Sequence, residues 1–228
     1  KECRAKTVGE ISGAVVGNEE IIKLLGAAKR AGVKVNGHCP SMGFRDVQTA
    51  ACAGLCDDHE CESISDLEQR LACGMAVLVR EGTIEPNCRT LCEGIVKNHI
   101  PTDDIMFCTD DKSAEDIKEN GCTDNALRIA VKCGISPVSA IKMATLNVAR
   151  HYGVDDIIGS VAPSKKANFL LMDSLENVTV KKVYHQGRLV AENGEFLCRH
   201  EFDITCYPEL KNTVILPRGL DSHSFEIK

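Results

Sequence analysis

Short apolar runs alternate with longer amphipathic ones over most of the chain. Thr7 to Glu10 ends a first apolar piece, and Gly13 to Gly17 reads as a loop. Asn18 then caps a helix over Glu19 to Arg30, acidic at its start and basic at its end as the helix dipole prefers. Its buried stripe is expected from Ile21, Ile22, Leu24, Leu25 and Ala28, and Gly32 stops it. Val33 to Asn36 is the next strand, with His38-Cys39-Pro40 turning off its end. A second helix covers Phe44 to Ala53 and closes at Gly54. Leu55 to Asp58 is a short strand leading into His59, and Ser63 or Ser65 caps a third helix with Ile64, Leu67 and Leu71 on one face. Met75 to Val79 is continuously apolar, as suits a strand buried on both faces, and it delivers Arg80. A fourth helix lies around Asn87 to Val96, and Asp104 to Cys108 is a fifth strand delivering Asp110 and Asp111.

Strand and helix thus alternate through five strands, the signature of βαβ units with a parallel sheet. Two more helices follow, Asp124 to Cys133 and Pro137 to Tyr152, the latter opened by Ser136 as cap and proline at its first position. After Gly153 the pattern changes. Phe169 to Met172, Val178 to Tyr184 and Arg188 to Val190 are short strands separated by the turn pairs Gln186-Gly187 and Asn193-Gly194. The expected division is a barrel-type unit over 1–153, a small β module over 154–200, and the start of a further segment over 201–228.

Composition narrows the class. Hydrophobic residues make up 43% and charged residues 26%, ordinary values for a globular protein. The net charge of −6 argues against nucleic acid, and no Lys/Arg block or long apolar run suggests a membrane. Thirteen cysteines, without a Cys-x-x-Cys, read as mostly reduced core-type residues of a cytoplasmic protein rather than a disulfide framework.

In parallel α/β barrels the reacting groups sit at the C-terminal ends of the strands. The last polar residues of the five strands are Glu10, His38, His59, Arg80 and Asp110. Two imidazoles and two carboxylates on one rim are a ligand set for a divalent metal, and carboxylates can bridge two. Glu60 is either a helix-entry charge or a catalytic group. Asp111 reads as a loop or cap residue, and Arg80 as the partner of a neighbouring acid. His99, His151, His185, His200 and His223 match no ligand pattern and read as surface or structural. The zinc nucleobase-deaminase signature, a phosphate-binding glycine loop and a nucleophile-elbow serine are all absent.

The run Val35-Asn36-Gly37-His38-Cys39-Pro40, then Asp57-Asp58-His59-Glu60-Cys61, Val79-Arg80-Glu81-Gly82-Thr83 and Met106-Phe107-Cys108-Thr109-Asp110-Asp111 resemble the successive strand-end motifs of the adenine deaminases of the amidohydrolase superfamily. Val8-Gly9-Glu10 is similar to the motif ahead of them. The stretches Ala140 to Asn147 and Ile158 to Pro163 resemble a broader superfamily ending. The resemblance covers nearly the whole chain, most weakly after Glu201. It implies the second half of a (β/α)8 TIM-type barrel, about five parallel βα units, with a small C-terminal β-sandwich module. It further implies hydrolysis of adenine to hypoxanthine and ammonia at a binuclear site holding manganese or iron, with zinc as an option. On that reading Glu10 bridges the metals, His38 and His59 are ligands, Asp110 is both ligand and proton shuttle, and Glu60 sits near the purine.

Two departures stand against the pattern. The family's first strand carries a His-x-His pair that this sequence does not contain, and Ser164 to Asn168 replaces a glycine turn and aspartate. The chain therefore reads as an internal fragment, and half a barrel is expected to expose sheet edges. Two alternatives remain: an amidohydrolase acting on another cyclic amide or amidine, and a non-catalytic partner or degenerate paralogue. The expected partner is a small molecule, with homo-oligomerisation open.

Overall fold

The computed structural model describes residues 5–198, 204–206, 208, 213, 215 and 217–225. Five strands, β1 (Thr7–Ser12), β2 (Lys34–His38), β3 (Asp57–Asp58), β4 (Ala76–Arg80) and β5 (Ile105–Cys108), form one parallel sheet in sequence order. Between them run α1 (Glu19–Ala31), α2 (Phe44–Ala53), α3 (Ile64–Ala72) and α4 (Cys88–Lys97). The alternation read from the sequence is thus the alternation of the fold, with boundaries moved by one or two residues.

Local chemistry explains the helix limits. Asn18 accepts from the Glu20 and Ile21 amides to start α1, and Gly32, at φ 65°, closes it in a left-handed turn. Ser63, not Ser65, caps α3, in a reciprocal box with Asp66. The α1 stripe is narrower than expected. Leu25 and Ala28 are buried and Ile21 packs beside them, but Ile22 is 54% exposed, because it lies off the face that meets the sheet.

In the parallel register Asn36 pairs with Asp57, and Asp57 with Ala76. Side chains alternate along a strand, so Asn36, His38, Asp57, His59 and Arg80 share one face. The opposite face carries Val35, Val77, Val79, Ile105 and Phe107. Val35 packs with Leu25, Ala28, Val47 and Ala50, while the other four pack with Leu67, Leu91, Cys92, Ile95 and Leu127. Gly37 is required where β2 and β3 meet, since a Cβ there would run into the Asp57 carbonyl.

After β5 come α5 (Ala114–Asn120), α6 (Thr123–Lys132), α7 (Pro137–Ala144) and α8 (Leu146–His151). The sequence reading omits α5, which has no buried residue and so no apolar stripe to reveal it. It also joins α7 and α8 into one helix. Thr145, at φ −136° and ψ −80°, breaks the two apart. Asn147 then donates its side-chain amide to the carbonyls of Thr102 and Ile105, tying α8 to the foot of β5.

The C-terminal module, expected as a β-sandwich, is one four-stranded antiparallel sheet among the described residues. Its strands are β6 (Phe169–Met172), β7 (Val180–His185), β8 (Arg188–Glu192) and β9 (Glu195–Phe196). Gln186-Gly187 and Asn193-Gly194 all take positive φ, as two-residue hairpin turns require, and β9 is a strand the sequence reading did not contain. Beyond it only single turns at Ile204–Cys206 and Ser222–Phe225 are described. No helix among the described residues is long and apolar enough to cross a membrane.

Candidate metal centre at the strand ends

The C-terminal ends of the five strands bring together the side chains singled out in the sequence. His38 closes β2, His59 and Glu60 follow β3, and Glu10 lies on β1 beside a break in register between Val8 and Ile11. Asp110 sits two residues past β5 in a left-handed turn, φ 53°, a conformation aspartate tolerates. His38 Nδ1 and His59 Nε2 are 3.4 Å apart. Glu10 reaches both, with one oxygen 3.7 Å from His38 Nδ1 and the other 3.6 Å from His59 Nε2. Asp110 Oδ2 is 3.7 Å from the same His59 nitrogen.

Glu60 is central to the cluster rather than an entry charge at its margin. It is 8% exposed, and Oε1 lies 3.4 Å from His38 Nδ1 and 3.2 Å from His59 Nε2. Arg80, also buried, reaches back from the end of β4 to hold it. Its Nη1 donates to Glu60 Oε1 at 2.5 Å and to Asp110 Oδ2 at 2.9 Å. Burial alone would lower the Arg80 pKa, but the Asp110 hydrogen bond and the Glu60 charge outweigh it and raise the value. One guanidinium therefore links both candidate proton carriers, a pairing wider than the single acid expected for Arg80.

The donor set suits a divalent cation. Glu10, His38 and His59 present ligand atoms within 4.8 Å of one another, and so do His59, Glu60 and Asp110. The two groups meet at His59. Mixed imidazole and carboxylate donors, with Glu10 and Asp110 open to solvent on one side, match metals of borderline to hard character.

A buried ion pair sits behind the histidines. Asp58 Oδ1 accepts from the amides of Cys39 at 3.0 Å and Glu60 at 3.3 Å. Its other oxygen takes the Arg70 Nε–H at 2.9 Å, and Arg70 Nη2 donates to the Cys39 carbonyl at 2.8 Å. Cys39 follows His38 and Glu60 follows His59, so this pair fixes the spacing of the two ligand loops. Nothing in the sequence marked Asp58 or Arg70 for that task, because Arg70 looks like one more charge on an amphipathic helix.

Asp111 behaves as a loop residue. It accepts from the Ile84 amide at 2.7 Å and lies against Gly82, where a side chain would collide with it, so it ties the loops after β4 and β5 together. His151 is structural, bonded to Asp57 at 2.7 Å on the inner face of the sheet. His99, His185 and His223 are not in any of the described metal-type groups, and His200 lies outside the described residues. The twelve described cysteines are all free of disulfides. Cys39, Cys61, Cys88 and Cys92 are buried, whereas Cys52, Cys198 and Cys206 are exposed.

Comparisons with known proteins bear on the family and the fold. The model of the amidohydrolase family matches residues 6–190. An adenine deaminase of Nitratidesulfovibrio vulgaris is 38% identical over 215 residues, which is 94% of this chain and 36% of that protein. One from Desulforamulus reducens is 35% identical over 92% of this chain and 35% of its own length. The chain thus spans about a third of the length of the curated relatives it matches. Among solved structures, N-acetylglucosamine-6-phosphate deacetylase from Pasteurella multocida aligns with a TM-score of 0.62 at 14% identity, covering 80% of this chain and 56% of that one. An adenosine deaminase from Xanthomonas campestris with bound zinc gives 0.59 at 12% identity, covering 88% and 54%. These two likenesses concern the fold.

Proposed function

Because the chain belongs to the amidohydrolase family, we propose that it carries the catalytic rim of a metal-dependent adenine deaminase. The observation that carries this reading is the meeting of Glu10, His38, His59, Glu60 and Asp110 at successive strand ends, in a chain 38% identical to an adenine deaminase over 94% of its length. The five βα units are then the second half of a (β/α)8 barrel over 1–153, followed by the small β module over 154–200 and a further segment from 201. A cytoplasmic location, where adenine is a free metabolite, goes with this reading.

Glu10, His38, His59 and Asp110 would hold a pair of divalent cations, manganese or iron, with zinc as the alternative. Such a pair supplies a Lewis acid that makes water a competent nucleophile near neutral pH. The chain's own carboxylates manage the protons. Deamination adds one water: its hydroxyl goes to the ring carbon bearing the amine and its proton to the adjacent ring nitrogen. The hydroxyl proton then passes to the amine, so that the carbon–nitrogen bond breaks, ammonia leaves and a ring carbonyl remains. Asp110 Oδ2 and Glu60 Oε1 both lie within hydrogen-bond reach of Arg80 Nη1, which positions the two carboxyl groups side by side for the proton transfers. Glu60, being the more buried, faces the ring, while Asp110 faces the solvent side where water enters.

The test uses the complete reading frame that encodes this chain, purified and loaded with manganese. Adenine should yield hypoxanthine and ammonia in equal amounts, with two metal equivalents bound. Inertness toward adenine, with turnover of another cyclic amide or amidine, would move the substrate class. Absence of bound metal would favour a non-catalytic protein.

A further inference from the structure

The rim is not the sole place where metal-type donors converge. At the other end of the same strands, on the inner face of the sheet, Cys56, Asp57 and His151 bring a thiol, a carboxylate and an imidazole within 4.8 Å of one another. His151 comes from the end of α8, on the far side of the chain in sequence. No ligand of the rim site takes part. We propose that these three residues form a second metal site, a three-ligand site of zinc type, which pins α8 to the foot of β2 and β3.

The geometry is close to what such an ion demands. Tetrahedral zinc, with about 2.3 Å to sulfur and about 2.0–2.1 Å to nitrogen or oxygen, sets the sulfur about 3.5 Å from each of the other two donors. Here Cys56 Sγ is 3.6 Å from His151 Nε2 and 3.5 Å from Asp57 Oδ2. The third edge, His151 Nε2 to Asp57 Oδ2, is a hydrogen bond of 2.7 Å, where zinc asks for about 3.3 Å. A small side-chain rotation opens it.

The surroundings hold the donors in place. Asp57 Oδ1 accepts the Gly37 amide at 3.1 Å, which leaves Oδ2 facing the histidine and the thiol. Asn36 donates to that same Oδ2 at 2.8 Å and to the Tyr152 hydroxyl at 2.7 Å, and the Tyr152 ring meets His151 edge-on. Such outer contacts fix ligand orientation at metal centres. His151 also borders a cavity of about 310 Å³ lined by Lys34, Asp104 and Arg150 among others. Sulfur, nitrogen and oxygen together favour zinc over calcium or magnesium, in contrast to the sulfur-free rim.

A proton is the competitor. Burial, then the Asp57 charge, push the Cys56 thiol up to about 12, and it donates to the Val35 carbonyl at 3.1 Å. The ion must displace that proton and convert a hydrogen-bonded cluster into a coordinated one.

Cobalt(II) distinguishes the two sites, because a thiolate ligand gives an intense near-ultraviolet charge-transfer band and a carboxylate–imidazole site does not. Titration of the metal-free protein should raise that band to a plateau whose intensity corresponds to one thiolate-bound cobalt per chain. Cys56→Ser should abolish it while cobalt still fills the rim. His151→Gln, which keeps a hydrogen bond to Asp57, should weaken cobalt binding at this site on the order of a hundredfold, since losing a ligand costs at least as much as losing an outer partner. No band in the unmutated protein, or a band that survives Cys56→Ser, would overturn the proposal. X-ray absorption of the zinc-loaded protein gives an answer free of variants: one sulfur scatterer per three zinc ions is expected, two ions at the rim and one here, and none would refute the site.

Discussion

The two faces of the parallel sheet are built by the same strands and could hardly differ more. The outer face presents Val35, Val77, Val79, Ile105 and Phe107 to helices, all buried. Toward the other side the strands and the turns after them carry Asn36, His38, Asp57, His59, Arg80 and Asp110, nearly all committed to ion pairs or hydrogen bonds. A residue's parity along its strand therefore decides whether it contributes to stability or to chemistry. Substitutions on the two faces should separate cleanly in their effects.

The largest expected effect is on the inner face. His59→Ala removes the nitrogen shared by the two rim groups of metal-type donors. Turnover of adenine by the complete enzyme should fall to background, while the free energy of unfolding in urea changes by no more than about 0.5 kcal/mol, as for a side chain outside the core. Wild-type turnover in that variant would take His59 out of the site. A large loss of stability would show instead that the two faces are not separable.

Next comes the place where the separation is already imperfect. Asp58 points to the outer face, yet it is fully buried and charged, and Arg70 from α3 is 1% exposed opposite it. Replacing one member of such a pair strands the other. Arg70→Met should cost about 3–5 kcal/mol in equilibrium unfolding. The paired change Asp58→Asn with Arg70→Met should recover part of that, because no charge is then left without a partner. The metal affinity of the rim should drop in both, since Asp58 spaces the loops of His38 and His59. A stability loss with unaltered metal affinity would reduce the pair to packing alone.

The sequence made one of these faces far easier to read than the other. Met75 to Val79 and Asp104 to Cys108 announce buried strands by composition, and the polar residue at each strand end identifies Glu10, His38, His59 and Asp110. What stayed hidden depends on partners distant along the chain. The Asp57–His151 bond joins residues 94 positions apart, and Arg80 grips Glu60 and Asp110 from positions 20 and 30 away. No local pattern encodes either. The same limit hid α5, whose residues Ala114 to Asn120 include none that is buried. It also widened the stripe of α1, because Ile22 is apolar without being covered.

The smallest effect tests a group just off the inner face. Glu81 follows Arg80 and is buried, facing Asn125 Nδ2 at 3.4 Å, with Lys112, Asp116 and Arg89 around it. Burial raises its carboxyl above the ordinary value, and the Lys112 charge opposes this only in part. A carboxyl whose folded pKa exceeds its unfolded one stabilises the fold fully below the unfolded value and loses that contribution as pH rises through the folded value. Wild-type stability should therefore contain a decline across the carboxylate range that Glu81→Gln lacks, since the amide is neutral throughout. In thermal melts the variant should match the wild type near pH 4 and exceed it by a few degrees near pH 8, an increment of about 1 kcal/mol at most in a domain of this size. Parallel pH profiles for the two proteins would mean that Lys112 neutralises Glu81 completely, and that this edge of the rim carries its charge without cost.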